Sequence, residues 1–297
     1  MITLYQERDF GEKINATFNY AVQQFRSLGM SLLYIAGPVA LAAGIATGVY
    51  QSNMLRMVGK MSAGDEVSGV GIVSPFAIFE QILSPAYWLV ILFTLLSYVL
   101  VSLTVYSHLK LYARQQDEPI TVGAVWQEVQ SLLVGGFGIT IITGLAVFAG
   151  LLLLIVPGVY LFVPLSLALA IFVFERLGLS AVFSRCFALT RDKWLSTLGL
   201  VIVMSIIASI IGMVFSVPAG IVGIMGVAKG EVSSLPLIIT QAISAVGTRM
   251  LSALVPLALG FQYFNLVERQ EGTGLLSAID SIGTVPAQPR AQDEGTY

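Results

Sequence analysis

Residues 151–194 read LLLLIVPGVYLFVPLSLALAIFVFERLGLSAVFSRCFALTRDKW. A long apolar run meets Pro157-Gly158, and a second run starts with no polar spacer and ends at Glu175-Arg176. Gly178 then breaks the pattern, and an amphipathic stretch follows that carries Arg185, Arg191, Lys193 and Trp194. This order predicts a transmembrane hairpin turning at Pro157-Gly158, a helix lying on the membrane surface, and the entry to a further span.

Composition extends that reading to the whole chain. Of 297 residues, 56% are hydrophobic and 11% are charged, against about 25% charged in soluble domains. So few charges cannot cover a water-facing surface of this size, and the deficit must face lipid. The expected fold is an all-α polytopic membrane bundle of about six transmembrane helices with three interfacial amphipathic (elbow) helices. A net charge of −2 gives no electrostatic case for nucleic acid. The single cysteine, Cys186, and the single histidine, His108, exclude disulfide frameworks and His- or Cys-cluster metal sites. MITLYQERDFGEK has mixed charges and no apolar core, so no cleavable signal is expected.

In chain order, Asp9 to Leu28 reads as the first elbow. Phe10, Ile14, Phe18, Val22, Phe25 and Leu28 recur at spacings of three and four, with Asp9 as cap and Glu12 in capping-box position. Met30–Tyr50 is the first span, rich in Gly and Ala, with Pro38 as a kink site. Gln51–Pro85 reads as a polar-to-mixed connection, and Ala86–Tyr106 as the second span. Ile120–Leu133 repeats the amphipathic design with Thr121 as cap; Val134–Val156 and Val159–Phe174 are spans three and four. Leu179–Arg191 is the third elbow, Leu195–Val217 the fifth span and Pro218–Ser234 a Gly-rich connection. Leu235–Val267 is broken by Pro236 and Pro256, its C-terminal half forming the sixth span.

The order elbow, span, span thus recurs over about 9–107, 119–175 and 178–268, making 1–268 one transmembrane domain. Residues 269–297 are polar and Gly/Pro-rich, which predicts a disordered cytoplasmic tail. Six spans place Arg8, Lys13, Arg26, Lys110, Arg114, Arg176, Arg185, Arg191, Lys193, Arg269 and Arg290 on one side. Arg56, Lys60 and Lys229 fall on the other, so both termini are expected in the cytoplasm and the elbows on the inner leaflet.

No phosphate loop, HExxH, paired cysteines or nucleophile elbow occurs, so no catalytic, cofactor or metal residue is assigned. Asp65-Glu66 and Asp117-Glu118 read as solvated loop pairs, His108 as an interfacial residue and Cys186 as a packed small apolar one. Arg185, Arg191, Lys193 and Trp194 are candidate contacts to anionic lipid headgroups, the alternative being ordinary positive-inside bias. Glu175 and Arg185, ten residues apart across a Gly turn, are a candidate structural ion pair. Arg249 and Gln241 form a candidate intramembrane polar site; otherwise Arg249 reaches for the outer interface.

On these residues the stretch from Ile155 to Leu200 resembles the bacterial membrane domain associated with glycerophosphoryl diester phosphodiesterases, and related stand-alone six-span proteins. The likeness rests on Pro157-Gly158-Val159-Tyr160-Leu161, on Glu175 ending a span, on Ala181 to Cys186, and on Leu189-Thr190-Arg191-Asp192-Lys193-Trp194. It covers about 45 residues, and Cys186 stands where a small polar residue is usual. It implies a six-span fold but not the phosphodiesterase activity, because that barrel is absent. The expected function is an integral protein of the bacterial inner membrane that interacts with lipid or scaffolds envelope partners. A small-solute transporter or transport subunit is the alternative. The expected partners are membrane lipids, with room for a membrane-protein partner or a second copy of the chain.

Overall fold

The computed structural model describes residues 2–62, 82–114, 119–228, 233–274 and 276. These are α-helical, with no strand among them. Eleven helices follow in order: α1 (Phe10–Gln23), α2 (Phe25–Ile35), α3 (Gly37–Ser62), α4 (Pro85–Arg114), α5 (Val122–Leu153), α6 (Ile155–Leu165), α7 (Ala168–Glu175), α8 (Leu179–Thr190), α9 (Trp194–Ala228), α10 (Ser234–Ser252) and α11 (Leu254–Glu271). Five apolar segments are long enough to cross a membrane: α4, α5, α6–α7, most of α9, and α10–α11. The bent pair α2–α3 is a sixth. The chain is a multi-pass helical membrane protein.

Hydropathy located the spans better than their ends. The expected hairpin turn at Pro157-Gly158 is displaced: the chain reverses at Leu154, the one extended residue between α5 and α6 (φ −163°, ψ 151°). Pro157 sits in the first turn of α6, where a missing N–H leaves nothing unpaired. Gly158 serves contact instead. A Cβ there would fall 2.7 Å from the backbone nitrogen of Leu151. Pro218 likewise does not end a span, because α9 runs through it to Ala228, taking in much of the expected connection. Pro236 and Pro256 open α10 and α11 rather than interrupting a helix, and the break falls at Ala253.

The second elbow also differs from expectation. Residues 120–133 do not form a separate surface helix; Thr121 caps a single 32-residue helix that carries on into the span. Gly135 and Gly136 do not break it, because they accept the side chains of Phe172 and Leu103 against the helix. The first span is divided: α2 and α3 meet at 54°. Pro38 explains the bend, since it lacks an N–H and its ring crowds the carbonyl four residues back. α3 then extends to Ser62, past the expected end at Tyr50. The pairs Asp65-Glu66 and Asp117-Glu118, Lys229, Arg290 and the tail beyond 276 lie outside the described residues.

Two packing regions result. At the end carrying most of the Lys and Arg residues, α11 forms the centre: Pro256 to Val267 are all buried beneath α1, α4, α7, α8 and α9. Tyr20, Tyr106, Phe261 and Phe264 fill this core. Toward the other end α10 lies against α3 and α9. Gly44 and Gly48 admit the α10 backbone, for a Cβ at either would lie 2.6 Å from a backbone atom of Ala242 or Ile238. Close approach of this kind holds helices together where lipid removes the hydrophobic drive.

Candidate functional site

The basic end gathers nearly every buried charge, and its geometry begins with α1. Glu12 accepts the Asp9 N–H at 2.9 Å, closing the first turn. At 3.6 residues per turn, three stripes then share the helix, each about a third of its circumference. Glu12, Asn15 and Asn19 are exposed and polar. Phe10, Ile14, Phe18 and Val22 are apolar and only partly covered, which suits a helix floating at a bilayer surface. The third stripe, Lys13, Ala16, Thr17 and Tyr20, is buried against the bundle. The sequence reading found the apolar stripe and did not separate the buried one, with Lys13, from the polar face.

Lys13 is 3% exposed and has no carboxylate partner among the described residues. Its ammonium donates to Ser196 Oγ at 2.9 Å and to Gln262 Oε1 at 2.8 Å. Gln262 Nε2 in turn donates to Thr197 Oγ1 at 2.8 Å, joining α1, α9 and α11 in one chain of neutral acceptors. Burial, reinforced by Arg269 and Lys193 and opposed by Asp9, pulls the Lys13 pKa from its ordinary 10.5 to about 8. Between those values the folded protein carries fewer protons at Lys13 than the unfolded chain, so stability rises with pH through that window. Raising the pH from 7 to 9 is expected to stabilise the parent by about 1 kcal/mol relative to Lys13→Met, since the raised Cys186 thiol opposes the gain equally in both. Thermal unfolding of both proteins in detergent at both pH values measures it; a parent profile that runs parallel to that of Lys13→Met contradicts the assignment.

His108, read from the sequence as an interfacial residue, is fully buried within the protein. The Ser27 hydroxyl donates to the Ile120 carbonyl at 2.7 Å, so its oxygen accepts from His108 Nε2 at 3.0 Å. Nδ1 is then left to accept from the Tyr20 hydroxyl at 2.7 Å. Tyr20, His108 and Ser27 sit in the relative places of a nucleophile, base and orienter. Tyr20 and His108 are both fully buried, so the hydroxyl that donates to the imidazole has no open face for a substrate. The chain instead straps α1, α2 and α4 to the start of α5.

Two clusters of paired charge lie nearby. Glu128 accepts from Lys110 at 3.0 Å and from Arg176 at 2.8 Å, and Lys110 also donates to the Val173 carbonyl at 2.6 Å. Glu175 and Arg185, the candidate pair, are together: Arg185 Nε lies 3.1 Å from both carboxylate oxygens. Tyr263 donates to the same carboxylate at 2.9 Å, and Glu271 takes the other side of Arg185. The reversal that joins them runs through Arg176, which adopts the left-handed φ of 55° usually left to glycine.

Of the four residues expected to meet headgroups, Arg185 is thus held by two carboxylates. Arg191 is exposed and Lys193 is half-buried. Trp194 has a different task. Pro164 lies inside α6 and leaves the Tyr160 carbonyl without its helical donor. Trp194 Nε1 donates to that carbonyl at 3.3 Å while its ring stacks on Tyr160. Cys186 is buried and its thiol is pushed up to about 12 by burial, which leaves it inert.

The structure does not bring Arg249 and Gln241 to one point. They lie eight residues, about 12 Å, apart along α10. Gln241 donates to Gln51 on α3, whereas the Arg249 side chain is half-buried without a partner among the described residues. No group of His, Cys, Asp or Glu among the described residues has metal-site spacing. An apolar groove of about 140 Å³ opens where α1 and α2 face the α10–α11 junction, between Phe25, Leu28 and Leu32 on one wall and Met250, Leu254 and Leu257 on the other. Compared with protein families, with curated proteins and with solved structures, the chain matches none.

Proposed function

We propose that this membrane protein holds membrane lipid against its first elbow and performs no catalysis. The observation that supports the reading most directly is the groove beside α1 and α2. Its walls are almost wholly apolar, and it lies next to the stripe of Phe10, Ile14, Phe18 and Val22, which α1 leaves only partly covered. An acyl chain is the ligand such a groove suits, since it buries apolar surface and asks for no hydrogen bond. The exposed Arg191 and half-buried Lys193 sit at the same end and favour anionic headgroups. On the Lys/Arg distribution we assign that end to the cytoplasmic face of a bacterial inner membrane. Kinship with the membrane domain of glycerophosphoryl diester phosphodiesterases belongs to the same proposal. So does the use of the bound lipid in scaffolding envelope partners. The alternative, a small-solute transporter, draws on a different feature, the polar pair Gln51–Gln241 at the far end.

Gly29 provides the test. It lines the groove, and a Cβ there would meet no atom within 4 Å. Gly29→Leu should therefore fill the groove without disturbing the helices. Lipid that co-purifies with the parent in mild detergent, quantified by mass spectrometry, is expected to fall several-fold in the variant while the unfolding temperature holds. A parent free of lipid, or a variant that retains as much, contradicts the proposal.

A further inference from the structure

A second pocket, independent of the elbow groove, lies between α3, α9 and α10. It encloses about 470 Å³, within the range of roughly 300–1,000 Å³ common for small-ligand sites. Its polar lining is Gln51, Ser216 and Gln241; Gly220 and Gly223 leave one wall bare. From α10 the pocket takes the polar Gln241, and Ser244 and Thr248, at successive steps of three and four residues, continue the same polar face beyond the pocket lining. Ser244 Oγ reaches Ser216 Oγ at 3.5 Å, and the Thr248 hydroxyl is buried with no partner among the described residues.

The hydrogen-bond inventory selects the ligand. Gln241 Nε2 donates to Gln51 Oε1. That bond uses one donor and one acceptor of the pair. It leaves the Gln241 carbonyl oxygen free to accept and the Gln51 amide group free to donate. No charged side chain among the described residues lines the pocket. A carboxylate or phosphate would find no cation there, and an ammonium or metal ion no anion. Groups that both donate and accept, without charge, match the two amides and the serine hydroxyl. Vicinal hydroxyls do so in pairs.

We propose that the pocket between α3, α9 and α10 binds a neutral polyhydroxyl group, supplied either as a free polyol or as the sugar headgroup of a lipid. Gln51 and Gln241 hold adjacent hydroxyls, and the bare wall at Gly220 and Gly223 takes the carbon face. In a site built to hydrogen-bond, the apolar analogue of the ligand is rejected because the amides are then left unpaired.

The full chain, purified in a detergent without a sugar head, is titrated with glycerol and with glucose by saturation-transfer NMR; acetate and methylammonium serve as charged comparisons. In a second arm the chain is placed in nanodiscs containing diglucosyl diacylglycerol and phosphatidylethanolamine, and retained lipid is read by native mass spectrometry. Saturable binding of a polyol identifies a free solute; selective retention of the glycolipid alone identifies a headgroup; either outcome supports the site. A Cβ at Gly220 would meet nothing within 4 Å, so Gly220→Leu fills the pocket while leaving the fold intact and should abolish binding. Gln241→Leu and Gln51→Leu should each weaken it at least tenfold, and they carry the test if Gly220→Leu fails to fold. No binding in either arm, binding that survives these substitutions, or acetate or methylammonium bound as well as the polyols overturns the proposal.

Discussion

Gly158→Ala is expected to destabilise the protein by about 2–3 kcal/mol, and Gly158→Val to prevent recovery of folded protein. The reason is local. α5 reverses into α6 over one residue, Leu154, so the two helices start their antiparallel run in contact. At that contact the Gly158 position faces Leu151. An added Cβ would stand 2.4 Å from Leu151 Cδ2 and 2.7 Å from its backbone nitrogen. The leucine side chain can rotate away, but the backbone cannot, so the hairpin must open. Gly150 faces the same seam, and a Cβ there would lie 3.0 Å from the Gly158 Cα. Two glycines on the same α5 supply the comparison. Gly138 and Gly144 have open space where a Cβ would go. Alanine at either is expected to be neutral or to stabilise by about 0.5–1 kcal/mol, because glycine is the poorer helix former. Thermal unfolding in detergent, with size-exclusion profiles, ranks the four variants. Equal stability of Gly158→Ala and Gly144→Ala would refute the close-contact account.

The same glycine marks the limit of reading this chain by eye. Pro157-Gly158 looked like a turn because in water that dipeptide is one. Inside a membrane bundle Pro and Gly are tolerated within helices, and hydropathy does not change at a helix end. Leu154, the actual reversal, is the fourth of four leucines and carries no signal. Pro218, Pro236 and Pro256 misplaced boundaries for the same reason. What was legible followed from solvent: too few charges for a water-facing surface, apolar runs of spanning length, and α1 and α8 as short amphipathic pieces. Glu175 and Arg185 were legible because only a Gly turn separates them. The buried stripe of α1 was not. Amphipathicity contrasts water with everything else, so the exposed Phe10 and Val22 read as the packed face. The stripe that is fully buried carries Lys13, whose partners Ser196 and Gln262 are remote in sequence. His108 was obscured likewise, its partners Tyr20 and Ser27 lying 88 and 81 residues away.

Glu128→Gln should cost about 3 kcal/mol, close to the low end for breaking a buried ion pair. Glu128 is the only carboxylate facing Lys110 and Arg176 among the described contacts. The two cations differ in what they lose. Arg176 is 43% exposed and can turn to water, whereas the Lys110 side chain is 6% exposed and held by the Val173 carbonyl. An amide at position 128 can still accept one hydrogen bond from Lys110 but no longer offsets its charge. Lys110→Met alone should cost less, since Glu128 keeps Arg176 and no charge is left unpaired. The double variant, Glu128→Gln with Lys110→Met, should then be more stable than Glu128→Gln by about 1–2 kcal/mol, because the stranded ammonium is gone. That ordering separates an electrostatic role from simple packing: were Glu128 only filling space, the near-isosteric glutamine would be silent and the second substitution would add its own loss. Unfolding of the three variants in one detergent decides between them, and a double variant less stable than Glu128→Gln rules out the charge-pairing account.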